Sequence, residues 1–252
     1  MIAIILAAGY ATRLYPLTQD RPKALLPMDG KTLLGHLMDA IATIPQIHRA
    51  CIVTNDRFYP QFEAWAREAH CPGLCIDVLN DGTTSDENKR GAVGDMQFAI
   101  ERMEIEEDVL VCASDNFFTF PLIDFVREFE RTGRDTLLMA RLSDLPTLRR
   151  FAVATLDEAG RVVGLVEKPQ DPPTDIGVYA LYLYRKDTVP LIAQYLAEGN
   201  SPDAPGHFPE WLYAKRDVRG FLFEGECIDI GTPEVYRATC ARFEEGGDLY
   251  HG

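Results

Sequence analysis

No stretch of this 252-residue chain approaches the roughly 20 consecutive apolar residues that a membrane helix needs. Positive charge is also scarce. Lys and Arg number 25 against 39 Asp and Glu, a formal net charge of −14. A nucleic-acid groove needs a basic face and an anionic membrane needs a basic patch, so neither is expected as a partner. Small phosphorylated ligands are not excluded, because a few focused cations, a helix N-terminus or a metal ion can bind them within an acidic protein. The chain has four serines and no GxSxG segment, which removes the usual hydrolase nucleophile elbow. There is no internal repeat, no low-complexity linker and no hexapeptide pattern after the last helical segment. The apolar N-terminal run is short and has no basic residues before it. It reads as a strand rather than a signal peptide, so a cytoplasmic location is expected.

The six cysteines, Cys51, Cys71, Cys75, Cys112, Cys227 and Cys240, mostly sit in apolar runs, where a thiol acts as a small hydrophobe. Free thiols are expected in an unexported chain. His70, Cys71 and Cys75 lack a second ligand pair at zinc spacing, so no zinc site is expected.

What is present is an alternating rhythm. Apolar runs at Ile2 to Leu6, Ala50 to Thr54, Leu74 to Leu79 and Val109 to Ala113 read as buried strands. Between them, Leu33 to Ile44, Tyr59 to Ala69 and Val93 to Met103 carry helical periodicity. This predicts an α/β fold: a three-layer, Rossmann-like, mainly parallel sheet with helices on both faces. Asp135 to Arg141, Phe151 to Leu156, Val162 to Glu167 and Val178 to Tyr184 read as strands with short connections, which makes the sheet mixed. Arg185 to Ala197 and Pro209 to Lys215 read as helices, with strands near Phe221 and Cys227 after them. A last helix starts at Thr232-Pro233-Glu234, runs to about Glu245 and stops at Gly246-Gly247. The length suits a single domain over 1–252, which the change of rhythm divides into 1–115, 116–230 and a C-terminal helix and tail at 231–252.

The stretch from Leu6 to Pro27 carries most of the chemistry. Its small residues Ala7, Ala8 and Gly9 let backbone approach a ligand at the carboxyl end of the first strand. Arg13 and Lys23, ten residues apart, suit one triphosphate, the first as a planar fork and the second as a compact charge. Gly30-Lys31-Thr32 imitates the tail of a P-loop, but the first glycine of that motif would fall on Leu25. It reads as a turn entering the next helix.

Leu6-Ala7-Ala8-Gly9-Tyr10-Ala11-Thr12-Arg13-Leu14-Tyr15-Pro16-Leu17-Thr18, followed by Arg21-Pro22-Lys23-Ala24-Leu25-Leu26-Pro27, resembles the signature LxAGxGTRLxPLT…RPKxLLP of the sugar-1-phosphate nucleotidyltransferases. The resembling form is short and has no C-terminal left-handed β-helix. Ala11 stands where that family usually has Gly. Further along, Ser114-Asp115-Asn116 is similar to the family's GDN, Glu167-Lys168-Pro169 to its EKP, Ile176-Gly177-Val178-Tyr179 to its GxY-type strand, and Asp229-Ile230-Gly231-Thr232-Pro233-Glu234 to its DIGTPE.

The resemblance implies a fold of the nucleotide-diphospho-sugar transferase type and a set of roles. Leu6, Ala8, Gly9, Arg13, Lys23, Asn80 and Gly91 would bind the nucleotide. Asp115, Glu167, Lys168 and Gly177 would bind the acceptor. Asp115 and Asp229 would hold Mg²⁺, and Arg13, Lys23, Asp115 and Lys168 would be catalytic. Taken alone, several have plainer readings: Asp115 and Asp229 as caps, Gly177 as an ordinary strand glycine, Asn80 as a turn residue. Two departures bear on specificity. Phe151-Ala152 stands where a Tyr-Gly pair is usual, and the Asn80 to Asp95 segment is longer and more polar than the short glycine-rich base loop of relatives.

The implied reaction joins a nucleoside triphosphate to a sugar 1-phosphate by in-line attack on the α-phosphorus and releases pyrophosphate. Two alternatives stay open: a cytidylyltransferase for a non-sugar phosphate such as phosphocholine or a phosphonate, and a non-catalytic nucleotide-sugar-binding regulator. Whether the chain forms a homo-oligomer, as relatives often do, is left open.

Overall fold

The computed structural model describes residues 1–244. In chain order, the first strands and helices are β1 (Ile2–Leu6), β2 (Pro27–Met28), β3 (Lys31–Thr32), α1 (Leu33–Ala42), β4 (Arg49–Thr54), α2 (Tyr59–Glu68), β5 (Cys75–Asn80) and α3 (Ala92–Met103). Then come β6 (Val109–Ala113), β7 (Asn116–Phe118), α4 (Leu122–Thr132), β8 (Asp135–Arg141), α5 (Leu145–Leu148), β9 (Ala152–Leu156), β10 (Val162–Glu167) and β11 (Ile176–Tyr184). The last are α6 (Pro190–Ala197), α7 (His207–Leu212), β12 (Val218–Leu222), β13 (Cys227–Asp229) and α8 (Pro233–Glu244). The expected end of α8 at Glu245 and its stop at Gly246-Gly247 lie outside the described residues.

The chain divides into two compact units. One holds Met1–Lys89, Ala113–Ile123 and the described part of Gly225–Gly252; the other holds Arg90–Cys112 and Asp124–Glu224. In the first unit, β1, β4 and β5 form a parallel ladder, with Ile4 opposite Cys51 and Ile52 opposite Val78. The β1 and β4 runs are buried because inner parallel strands are covered on both faces, whereas β5, at the edge of the ladder, is only partly buried. Asp29 and Gly30, at φ +44° and +73°, make the two-residue turn of the β2–β3 hairpin. Thr32 then caps α1 by accepting the Gly35 N–H at 3.0 Å, so Gly30-Lys31-Thr32 is the turn into a helix that its spacing implied.

In the second unit, β11 is antiparallel to β6, β8 and β9, β9 is antiparallel to β10, and β8 is parallel to β12. The expected α/β class with a mixed sheet is therefore observed. Helix α4, with Leu122, Phe125, Val126 and Phe129 buried along one stripe, has no counterpart among the expected elements. Among the described residues, no helix is long and apolar enough to cross a membrane.

One expected boundary moves for a local reason. The helix read from Arg185 begins at Pro190 instead. The preceding segment is held by Asp135, which accepts the Arg185 N–H at 2.8 Å and the Thr188 hydroxyl at 2.7 Å. Burial pushes the Asp135 carboxyl up to about 6, against the downward pull of those two bonds and of Arg216. Asp187, the other charge facing it, adds to the rise. The folded state therefore holds this proton up to about pH 6, whereas the unfolded chain releases it near pH 4. Stability from this group is present at low pH and falls as pH rises through that window, by about 3 kcal/mol. Urea unfolding of the wild type and Asp135→Asn from pH 4 to 7 checks this. The stability difference should shift against the wild type by roughly that amount, and a difference that does not vary with pH contradicts the assignment.

Candidate active site

The loop after β1 is anchored from below. Ala7 N–H continues the ladder to Val53 O at 2.9 Å. Asn55, fully buried, donates to Ala8 O at 2.8 Å and accepts the Phe58 N–H at 3.1 Å, tying the loop to the start of α2. Tyr10 packs against Phe58 with ring centroids 6.3 Å apart, and its hydroxyl donates to Thr83 O at 3.3 Å. Leu14 sinks into an apolar cluster with Leu26, Met28, Leu33, Phe117 and Ile230. Leu6 closes β1, and its carbonyl accepts the Ser114 N–H at 3.1 Å.

Two small residues in this loop have different reasons. Ala11 sits at φ +48°, where glycine is free and a Cβ costs about 1 kcal/mol. That is the physical sense of the Gly seen at this point in the resembling signature. Here the Thr18 hydroxyl, fully buried, holds Ala11 O at 2.8 Å. Gly9 is exposed, and a Cβ on it would meet nothing within 4 Å. No protein neighbour calls for its bare backbone, which leaves room for a ligand.

The charged centre is built by the β7–β13 ladder. Asp229 stands opposite Asn116, and Ile230 N–H donates to Asp115 O at 3.2 Å. This brings the Asp115 and Asp229 side chains to the same ammonium. Lys23, on a one-turn 3₁₀ segment whose Ala24 and Leu25 are buried, donates to the Asp115 carboxylate and lies 3.9 Å from Asp229 Oδ1. Its side chain is 14% exposed against 27% and 31% for the two aspartates, so solvent screens the trio incompletely. Arg13, on the 3₁₀ turn Thr12–Leu14, is exposed and makes no hydrogen bond or ion pair among the described residues. Among those residues no group of three His, Cys, Asp or Glu could hold a metal ion. Two carboxylates that need phosphate oxygens and water to complete a shell suit Mg²⁺, a hard ion that keeps several waters.

Of the residues expected to bind the acceptor, Glu167, Lys168 and Gly177 belong to the second unit, and Asp115 to the first. Glu167 ends β10 opposite Ala152 of β9, and Lys168 N–H donates to Phe151 O at 3.1 Å. Lys168 takes φ +47°, the left-handed region, and its ammonium lies 3.2 Å from Glu167 Oε1. The Glu167 side chain is only 9% exposed; the Lys168 ammonium is its ion-pair partner, and its charge also acts on the buried Tyr182 hydroxyl. A partly enclosed carboxylate is stabilised by such a pair, and its second oxygen can still accept from a ligand hydroxyl. Phe151 packs on Tyr179 with centroids 4.9 Å apart, and the Ala152 methyl is buried.

Three other expected site residues are accounted for by this chain's own packing. Asn80 accepts the Gly82 N–H and donates to Asp56, both at 2.8 Å, as a turn residue does. Gly91, at φ +77°, faces the backbone of Pro202, whose carbonyl carbon would lie 2.7 Å from a Cβ. Gly177 faces Leu142, whose Cγ would lie 3.1 Å from one. The sequence reading missed Asn55 and Gly206. A buried Asn after a strand was a legible signal; Gly206 had none.

The family described as nucleotidyl transferase matches residues 2–245. A glucose-1-phosphate thymidylyltransferase of Streptomyces griseus is 28% identical over 232 residues, which cover 92% of this chain and 62% of that protein. A UTP–glucose-1-phosphate uridylyltransferase of Haloferax volcanii is 25% identical, with 97% of each chain covered. A UDP-glucose pyrophosphorylase solved with UDP-glucose superposes with a TM-score of 0.83 at 17% identity, over 97% of this chain and 98% of that one, and shares the fold. The chain thus spans less than two thirds of the first relative and nearly all of the second.

Proposed function

The chain belongs to the nucleotidyl transferase family, and from that premise we propose that it joins a nucleoside triphosphate to a sugar 1-phosphate, giving a nucleoside-diphosphate sugar and pyrophosphate. The observation that carries this reading is Lys23 held against two strand-anchored carboxylates, Asp115 and Asp229. Relatives named for thymidylyl and uridylyl transfer to glucose 1-phosphate support the sugar acceptor.

The reaction is a direct in-line displacement: an acceptor phosphate oxygen attacks the α-phosphorus and pyrophosphate leaves. A phosphate dianion needs no general base, so the protein contributes position and charge. The backbone of Leu6, Ala8 and bare Gly9 receives the nucleotide, with Asn80 and Gly91 assigned to the base. Arg13 and Lys23 neutralise the leaving pyrophosphate. Lys168 binds the acceptor phosphate, and Glu167 takes donors from acceptor hydroxyls beside Gly177. Asp115 and Asp229 would hold Mg²⁺, which when bound would neutralise phosphate charge. Lys23, now against Asp115 and near Asp229, is also placed to reach phosphate oxygens. A cytoplasmic location accompanies this reading.

Pyrophosphate release from purified protein tests it, with each common triphosphate and Mg²⁺ against glucose 1-phosphate, mannose 1-phosphate, phosphocholine and a phosphonate. Release that needs both a triphosphate and a sugar phosphate supports the reading. Release only with phosphocholine or the phosphonate replaces the acceptor, and tight nucleotide-sugar binding without turnover replaces the enzyme with a regulator.

A further inference from the structure

Gly206 belongs to none of the motifs above. It is buried at the start of α7 with φ −74°, a conformation open to any residue, so the backbone gives no reason for glycine. Its neighbours do. A Cβ at this position would overlap Glu167 Oε2, lie 2.9 Å from Glu167 Cδ and 3.3 Å from the Ala152 methyl. Ala152 is also the cross-strand partner of Glu167. The carboxylate thus occupies a slot bounded by the Gly206 backbone and the Ala152 methyl, with the Lys168 ammonium 3.2 Å from its other oxygen. Lys168 reaches that place from the left-handed backbone at the end of β10, a conformation that surrounding structure must hold.

We propose that Gly206 is a positioning residue for Glu167: the absent side chain leaves the volume that the carboxylate fills, and so sets the direction in which Glu167 receives the acceptor's hydroxyls. This rests on the assignment of Glu167 to the acceptor. A methyl at 206 drives the carboxylate out of its slot. The three atoms nearest to that methyl belong to Glu167 and Ala152, neither of which is assigned to the triphosphate.

The test compares wild type, Gly206→Ala, Glu167→Ala and the double variant. The substrate is whichever of glucose 1-phosphate and mannose 1-phosphate the wild type turns over faster. Gly206→Ala should raise KM for the sugar phosphate about tenfold or more and leave KM for the triphosphate within about twofold. In the Glu167→Ala background the methyl has room, so the double variant should be no worse than Glu167→Ala alone. Additive losses, or equal rises in both KM values, overturn the proposal. If Gly206→Ala does not fold, folding of the double variant supports the proposal, and failure of both overturns it. Crystal structures of wild type and Gly206→Ala need no substrate. A Glu167 carboxylate moved to another rotamer supports the proposal and an unmoved one overturns it, even if no acceptor is turned over and the functional reading itself has failed.

Discussion

Asp115→Asn should lower the rate of pyrophosphate release by about 10²- to 10³-fold, the usual cost of removing one preorganised charge contact. The reason is visible in the charge balance of the trio. Asp115, Asp229 and Lys23 together carry one net negative charge, and the ladder holds both aspartates against one ammonium. Asparagine keeps the shape but brings that balance to zero, and it leaves Lys23 to pair with Asp229 alone. A divalent ion then has one carboxylate instead of two, and that one is shared with an ammonium. The half-saturating Mg²⁺ concentration should rise steeply, and high Mg²⁺ should recover part of the rate. Initial rates across a Mg²⁺ titration check this. Near-normal turnover at low Mg²⁺ would remove Asp115 from the centre.

Arg13→Ala should lose a similar factor, about 10²- to 10³-fold in kcat/KM, for a different reason. Arg13 is exposed and pairs with nothing among the described residues, while its neighbour Leu14 carries the packing of that turn. Its removal should change stability by less than about 0.5 kcal/mol, as surface substitutions usually do. A collapse of activity with an unchanged melting temperature is therefore the signature of a guanidinium kept for a ligand. Loss of both together would make Arg13 a structural residue. Retention of both would take it out of the triphosphate site.

The parts of this molecule that were legible in the sequence are those governed by local rules. The β1 and β4 runs are apolar because inner parallel strands are covered on both faces, so their pattern alone marked them. Asp115 and Asp229 were legible through their flanking strings, and the β7–β13 ladder explains why residues so far apart in sequence meet at Lys23. What was not legible depends on partners distant in sequence. Nothing near Arg185 tells that Asp135 will hold the turn and delay α6 to Pro190. Gly91 and Gly177 resemble ligand-facing glycines, yet each also has a neighbour in its own chain, Pro202 and Leu142, that leaves no room for a side chain. Gly206 is the converse case: no motif marks it, and its purpose exists only in space, where Glu167 fills its missing volume. Ala11 shows a signature position that tolerates departure, because Thr18 helps to hold the left-handed backbone that glycine would take unaided.

The account's central claim is nucleotidyl transfer to a sugar phosphate, and ³¹P NMR of one reaction mixture tests it most directly. With protein, Mg²⁺, a triphosphate and a sugar 1-phosphate, the account predicts loss of both substrate signals. In their place should come free pyrophosphate and a coupled pair of diphosphate resonances, one phosphorus from each substrate. A spectrum that stays unchanged with every common triphosphate and sugar 1-phosphate, or that shows triphosphate hydrolysis with the sugar phosphate untouched, contradicts it.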